Sequence, residues 1–402
     1  MSENAPESAG NIVKFQISSN FTEYAVELSA GVVDFRYYEN VLANNVTASA
    51  TIVETGYQSD DSGGAGGKQS TVDGLPIRGG ERTDITIEDA YGNELTLEEG
   101  LYVNRVRDVD PGTSKDVYYL DFASKEFFAN EQTRVVKKYE GNIGDNVEKI
   151  LKDVLKVEAD IEIDNTGAPY NFIGNDKKPF YVCTWLASKS TPQTAGSSGS
   201  SVGGTAGYLF YQTKLGFKFK SLDVLLSQTP DKKFIYTGTP SRTKESANIY
   251  SYTIDRNIEL QSNLSLGVYN NRTIFYDPVA FDYEVINFNL KGQENKISTA
   301  GINFSGDLVD KSFTSGPSRL MSSVLDVGYN PSGSTPEEQL QSWNEQRSKA
   351  NFDAPRTMVQ SVMRYNQVFT IQTNITVGAD LSLSAGDMVR CTFKQTEGQS
   401  RD

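Results

Sequence analysis

Polar and apolar positions alternate with period two over much of the chain, and in a few places the period lengthens to that of a helix. Val46-Thr47-Ala48-Ser49-Ala50-Thr51-Ile52-Val53 is small and β-branched, and residues 84–88 and 103–109 alternate, as strands with one buried face do. Such segments follow one another across turn residues, so residues 11–122 are expected to form a β-domain. Its longest interruption, residues 58–74, is rich in Gly, Ser and Asp and reads as a mobile surface loop between paired strands.

Beyond residue 122 the pattern is mixed. Asp145-Asn146-Val147-Glu148 has the form of a capping box, with Asp145 accepting from first-turn amides and Glu148 reaching back. Val147, Ile150, Leu151, Val154 and Leu155 then fall on one helical face. A second helix is expected from Pro179 through Val182, Trp185, Leu186 and Lys189. A Ser/Gly-rich run over residues 191–206 precedes two apolar segments, 208–213 and 216–220, that read as a hairpin. Residues 123–233 are thus expected to be an inserted α/β domain. Strand-like sequence resumes over 234–290, and strands return from Tyr365 to Phe393. Between them, residues 291–354 hold one helix, 336–350, with Thr335 as N-cap, Pro336 in the first turn and Glu338 completing the box. Residues 234–290 and 355–396 therefore read as a second β-domain split by an insertion.

One phrase occurs twice. Leu75-Pro76-Ile77-Arg78-Gly79-Gly80-Glu81-Arg82-Thr83-Asp84-Ile85-Thr86-Ile87 aligns without a gap with Leu381-Ser382-Leu383-Ser384-Ala385-Gly386-Asp387-Met388-Val389-Arg390-Cys391-Thr392-Phe393. Each copy holds two apolar residues two apart, a small-Gly pair, a carboxylate and an alternating strand. Two readings are open. One is a shared way of turning into a strand; the other is a duplicated barrel half, whose use is to let few subunits look like twice as many.

Composition narrows the function. The 402 residues include 21 Tyr and 20 Phe against 5 Met and 2 Trp, a balance that favours strands. A net charge of −14 argues against binding nucleic-acid phosphates. Histidine is absent, which removes the commonest general base and metal ligand and all His-based triads. Cys183 and Cys391 lie far apart, which excludes a disulfide framework or a CxxC zinc site and points to a reducing setting. The first residues lack an apolar signal region, and no run of about eighteen apolar residues appears, so synthesis in a cytoplasm and no membrane span are expected.

The candidate chemistry is thin. Adjacent carboxylates at Asp60-Asp61 and Glu98-Glu99 read as solvated turns, because a catalytic pair is brought together from separate elements. Asp108-Val109-Asp110-Pro111-Gly112 lacks the later Gly and Glu of a calcium loop and fits a hairpin turn. Gly63-Gly64-Ala65-Gly66-Gly67-Lys68 fails as a phosphate loop, with Ser62 in place of the first glycine and Gln69 in place of the hydroxyl. The basic pairs Lys137-Lys138, Lys177-Lys178 and Lys232-Lys233 are short. Phe234 and Tyr236 beside the last would allow a base-stacking platform, but solvated strand ends fit an acidic chain better. Tyr37-Tyr38 reads as core and interface packing. No catalytic, cofactor-binding or metal-binding residue is nominated; neither a cofactor nor an enzymatic activity is expected.

Several phrases point together. Gly31-Val32-Val33-Asp34-Phe35-Arg36-Tyr37-Tyr38-Glu39, Gly74-Leu75-Pro76-Ile77-Arg78-Gly79-Gly80-Glu81, Pro179-Phe180 with Trp185-Leu186-Ala187-Ser188-Lys189-Ser190, and Gly207-Tyr208-Leu209-Phe210-Tyr211 running to Gly216-Phe217-Lys218-Phe219 resemble baseplate hub proteins of contractile-tailed, T-even-like bacteriophages. Residues 249–288 and 381–393 resemble that family's second barrel. The resemblance implies a mainly β fold with α/β insertions: two tail-tube-like β-barrel domains, an α/β domain inserted between them, and a second, smaller insertion. It implies a homotrimer that forms a pseudo-six-fold ring, joins the tail tube to the central spike and leaves a channel for DNA passage. The implied partners are other copies of the chain, a central spike trimer, tail tube or tube-initiator proteins and a tape measure protein, with DNA only in transit and no stable membrane association. The implied location is the virion tail baseplate, after assembly in the host cytoplasm. The acidic charge then has two open readings, a lumen that does not hold DNA or solubility before assembly. Two other functions fit the same residues: the hub of a phage-derived injection particle, such as a tailocin or secretion system, and a β-rich receptor- or carbohydrate-binding fibre module. Residues 58–74 and the helix after Thr335 are candidate assembly elements.

Overall fold

The computed structural model describes residues 10–21, 23–54, 71, 77–89, 91–97, 100–111, 115–167, 169–193, 205–236, 246–256, 259–278, 281–289, 315–324, 333–349, 351, 354–368, 371–394 and 400–401. The protein is mainly β and divides into two compact units. Residues 1–132, 211–216 and 378–386 make the first, and residues 133–210, 217–377 and 387–402 the second. The loop expected over 58–74 lies outside the described residues, apart from Thr71.

In the first unit the strands are β1 (Asn11–Ser18), β2 (Ala25–Glu27), β3 (Val32–Tyr38), β4 (Thr47–Glu54), β5 (Arg82–Glu88), β6 (Glu94–Thr96), β7 (Leu101–Pro111) and β8 (Asp116–Ala123), followed by helix α1 (Lys125–Gln132). They form one sheet in the order β2-β1-β5-β7-β8-β4-β3, with β6 added to β5. The alternation in 46–53 has the predicted effect: Ala48, Ala50 and Ile52 turn inward, into a core with Phe15, Ile17, Val103, Tyr118 and Leu120. Phe15 of β1 meets Phe35 of β3 and Phe122 of β8 edge-on, with ring centroids 6.1 and 5.8 Å apart. Because β1 and β3 do not pair, these contacts show the sheet curling round its own core. Each such side chain contributes roughly 1.5–3 kcal/mol on full burial.

Two segments from late in the sequence complete this unit. Leu381 packs against the core, and its amide donates to Asp89 Oδ2 at 2.8 Å. Glu39 receives the Ala385 amide at 2.8 Å, the Lys214 amide at 2.5 Å and the Tyr37 hydroxyl at 3.0 Å. Lys214 Nζ in turn donates to the carbonyls of Leu381 and Leu383. Burial pushes the Tyr37 phenol far up, and the charge of Glu39 adds to it, so the hydroxyl stays a donor.

The second unit begins as a mixed α/β region. It holds β9 (Lys138–Tyr139), α2 (Ile143–Lys149) continued by a π-helical turn (Ile150–Val154), β10 (Ile161–Ile163), β11 (Phe172–Ile173), α3 (Pro179–Ala187), β12 (Tyr208–Thr213), β13 (Gly216–Ser221) and α4 (Leu222–Leu226). The hairpin at 208–221 and the helix with Pro179 in its first turn stand where expected, the hairpin's turn end being the segment that belongs to the first unit. The capping box does not. Helix α2 starts at Ile143 with Asn142 as N-cap, Asp145 lies inside its first turn, and Glu148 pairs with Lys152 at 2.6 Å. The Gly144 amide is instead capped by the hydroxyl of Thr166 at 3.0 Å, a partner twenty-two residues away that local pattern cannot reveal.

The remaining elements are β14 (Lys232–Tyr236), β15 (Ser246–Arg256), α5 (Leu260–Ser265), β16 (Asn270–Asp277), β17 (Asp282–Asn289), β18 (Arg319–Val324), α6 (Pro336–Lys349), α7 (Ala354–Val368), β19 (Ile371–Val377), β20 (Val389–Lys394) and β21 (Ser400–Arg401). They make a five-stranded sheet, β19-β15-β14-β20-β21, and a three-stranded sheet, β17-β16-β18. Helix α6 has the predicted box: the Glu338 amide donates to Thr335 Oγ1 at 3.2 Å, and Glu338 Oε2 accepts from the Ser334 and Thr335 amides at 2.8 and 3.2 Å. The strands expected to return at Tyr365 begin instead at Ile371. Residues 354–368 are helical, with Val359 and Met363 packed on Val268, Tyr269, Phe275 and Phe288. Tyr365 donates its hydroxyl to the Tyr208 carbonyl at 2.5 Å and accepts the Tyr208 amide at 3.1 Å, so tertiary bonds hold this segment in the helix. Arg364, 1 % exposed, reaches Asp223 at 2.5 Å.

The repeated phrase keeps one conformational feature, while the preceding position differs, with Gly79 at φ +112° and Ala385 outside the positive-φ region, and so do its neighbours. Gly80 and Gly386 both adopt positive φ, +85° and +99°, where a side chain would be strained, and a strand starts shortly after each. In the first copy Glu81, fully buried, accepts the Arg78 and Gly79 amides at 2.8 Å. In the second, the amide of Ala385, which aligns with Gly79, goes to Glu39. Strand β5 pairs antiparallel with β1, β6 and β7, whereas β20 pairs parallel with β14 and antiparallel with β21.

Candidate functional site

The residues weighed for chemistry are dispersed. Asp60-Asp61, Glu98-Glu99 and the glycine run 63–68 lie outside the described residues. Strand β7 carries Asp108 and Asp110 to its end, with its register against β8 broken between Arg107 and Asp110; the turn beyond lies outside the described residues. Phe234 is buried within the fold and so cannot stack a base, and Tyr236, half-buried, packs edge-on against Tyr252 with centroids 4.8 Å apart. Lys177 lies over the Tyr181 ring at 5.9 Å, and Lys178 is the N-cap of α3. Lys137 and Lys138 line a cavity of about 400 Å³ with Tyr139, Asn146, Lys149 and Asp153, where Lys138 is paired to Glu140 at 2.6 Å. Cys183 and Cys391 are free thiols, Cys183 buried and Cys391 half-buried, and burial pushes both up in pKa. Among the described residues no cluster of acids and thiols could hold a metal ion.

What the second unit does present is bare apolar surface. Sheet β17-β16-β18 has one face packed on α7 through Phe275 and Phe288. On its other face the register sets Ile274 beside Val285 and Ser322, and Tyr276 beside Tyr283 and Val324, with Leu320 next to Arg272. These side chains are well exposed: Tyr283 67 %, Leu320 72 % and Val324 62 %. The outward positions carry a single charge, Arg272, whose Nε donates to Asn287 Oδ1 at 2.8 Å, and no carboxylate. A single exposed apolar residue needs no explanation, but a contiguous face of them in an acidic chain does.

A second bare face lies on β15 and β19. Tyr252 stands opposite Ile375, Ile254 opposite Thr373, and Arg256 opposite Ile371, which places Tyr252, Ile254, Ile371 and Ile375 on one side. Tyr252 continues the strip to Tyr236 and Phe393, at 4.8 and 4.5 Å between ring centroids. The reverse side holds Ser251, Thr253, Gln372, Asn374 and Thr376, with Ser251 Oγ bonded to Thr376 Oγ1 at 2.9 Å. This sheet is amphipathic, with its apolar side only partly covered. Sequence pattern anticipated the strands of 234–290 but not these faces. A signal existed in Thr273-Ile274-Phe275-Tyr276 and Val285-Ile286, where apolar residues occupy both parities, as in strands covered on both sides.

No family model matches the chain, and neither does any curated protein. Solved structures similar to it include the 43 kDa tail protein of prophage MuSo2 from Shewanella oneidensis, at TM-score 0.44 and 10% identity over 90% of this chain and 81% of that one. The prophage tail protein gp18 from Listeria monocytogenes aligns at TM-score 0.43 and 10% identity over 96% of this chain and 87% of that one. A tail protein from Neisseria meningitidis aligns at TM-score 0.42 and 9% identity, covering 83% and 75%.

Proposed function

We propose that the chain is a structural, non-enzymatic component of a phage-type tail: a baseplate hub that assembles as a trimeric, pseudo-six-fold ring, joins the tail tube to a central spike and leaves a channel through which DNA passes. The observation that carries this reading is the bare apolar face of β17-β16-β18 on a sheet already packed on its other side. Such a face is hydrated at a cost until another protein surface covers it. The resemblance of the quoted phrases to hub proteins supplies the kind of assembly, and the two β-rich units are compatible with it. The tube, the spike and a tape measure protein are the partners this reading assigns, and the virion baseplate is its location.

The hub of a phage-derived injection particle fits the same observations. Electron microscopy and native mass of the purified chain test the reading: a particle three times the mass of the chain with a central channel supports it. A persistent monomer that binds glycans saturably would favour a fibre or adhesin module instead.

A further inference from the structure

Two unlike apolar faces on one unit carry more information than one. A two-fold dimer needs a single self-complementary patch, whereas a closed ring is heterologous and needs a pair of different surfaces on every copy, one to give and one to receive. The β17-β16-β18 face and the β15-β19 face are such a pair. We infer that the outward face of β17-β16-β18 on one copy packs against the apolar face of β15 and β19 on the next, so that both faces are buried between copies of this chain.

Size and charge favour a second copy as the occupant. Ile274, Tyr276, Tyr283, Val285, Leu320 and Val324 expose on the order of 700 Å² together, close to the about 800 Å² that each partner contributes to an interface of standard size. Even with the tyrosine hydroxyls and backbone set aside, the apolar part stands at the upper end of the roughly 300–600 Å² of the largest apolar patch on an ordinary monomer. Each copy bears −14, so copies repel except where their contact surfaces are free of acid. The outward positions of β16, β17 and β18 meet that condition, and on β15 and β19 the one carboxylate, Asp255, sits on the reverse side, opposite Gln372.

This inference rests on the self-assembly in the function proposed above and not on the tail role. The full-length chain is studied by sedimentation velocity at about 100 μM, as wild type and as two variants, Tyr283→Glu with Leu320→Glu, and Ile254→Glu with Ile371→Glu. The wild type is expected to sediment as an oligomer and each variant as the 44.3 kDa monomer. An equimolar mixture of the two variants is expected to form a species of twice the monomer mass, because one intact face of each kind remains. Folding of each variant is checked by circular dichroism. A Leu320→Cys, Ile371→Cys double variant adds an independent readout, an intermolecular disulfide on mild oxidation. A wild type that stays monomeric overturns both the inference and the self-assembly. An oligomer that survives both glutamate variants, or forms no disulfide, overturns the face pairing alone, as does a mixture that stays monomeric.

Discussion

Asp89 holds the late segment 378–386 in the first unit, and replacing it with asparagine isolates that role. The carboxylate is 5 % exposed and accepts the amides of Tyr91, Asn93 and Leu381 and the Asn93 side chain, each at 2.8 Å. An asparagine side chain there would keep one acceptor oxygen for the Tyr91 and Asn93 amides and would turn an NH₂ toward the other two donors. A hydrogen bond to a charged group is worth about 1.5–3 kcal/mol, so loss of the Leu381 bond costs about 2 kcal/mol, or a factor of about 30 in the local opening equilibrium. Hydrogen exchange followed by mass spectrometry on peptides spanning 378–386 reads this directly, with α7 as the internal control. Burial by itself pushes the Asp89 carboxyl up, but the bonds from the Asn93 side chain and from the Leu381, Asn93 and Tyr91 amides outweigh it and hold the carboxyl below its ordinary value of 3.8. The folded state therefore favours ionisation. The stabilisation is complete above the ordinary carboxylate pKa and is lost as pH falls through the lower folded one. Asp89→Asn removes that acid dependence. Unchanged protection of the Leu381 amide in a folded Asp89→Asn variant would refute the role assigned to this carboxylate.

Other expectations are simpler to state. Arg364→Leu leaves Asp223 without its buried partner and should destabilise the second unit by about 3–5 kcal/mol, read from Trp185 fluorescence in urea; a loss under about 1 kcal/mol contradicts the pairing. In Gly174→Ala the new Cβ collides with the Val135 carbonyl, for a cost of about 1–3 kcal/mol in thermal unfolding, and an unchanged melting temperature would show that the loop yields freely. Thr335→Ala removes the α6 cap and should cost about 1 kcal/mol, seen as faster exchange of the first-turn amides. Iodoacetamide at pH 8 should leave the buried Cys183 untouched in the native protein while the half-buried Cys391 reacts, and equal rates would contradict the burial of Cys183.

The features legible in sequence were those whose causes are local. The Thr335-Pro336-Glu337-Glu338 cap, the Pro179 start of α3 and the 208–221 hairpin each depend on residues within a turn of one another, and each stands where the pattern put it. The features misread depend on distant partners. Met358, Val359, Val362 and Met363 do make a helical stripe, but Tyr365-Asn366-Gln367-Val368 alternates like a strand, and the bonds from Tyr365 to Tyr208 and from Arg364 to Asp223 decide the matter. The cap of α2 was misplaced because Thr166 satisfies the Gly144 amide from outside the window. The bare faces were hidden for a related reason: a strand with apolar residues on both parities says that both sides are to be covered, without saying whether by this chain or another.

The makeup of the first unit also bears on how the protein is made. A ribosome emits residues 1–132 well before the amides of Leu381 and Ala385 that satisfy Asp89 and Glu39, which follow about 250 residues later. At roughly 5–20 residues per second, the gap between the two is on the order of tens of seconds. Throughout that interval the sheet of β1 to β8 carries two carboxylates still missing donor partners and a core face still lacking Leu381, so its final stability arrives only once residues 378–386 have been made.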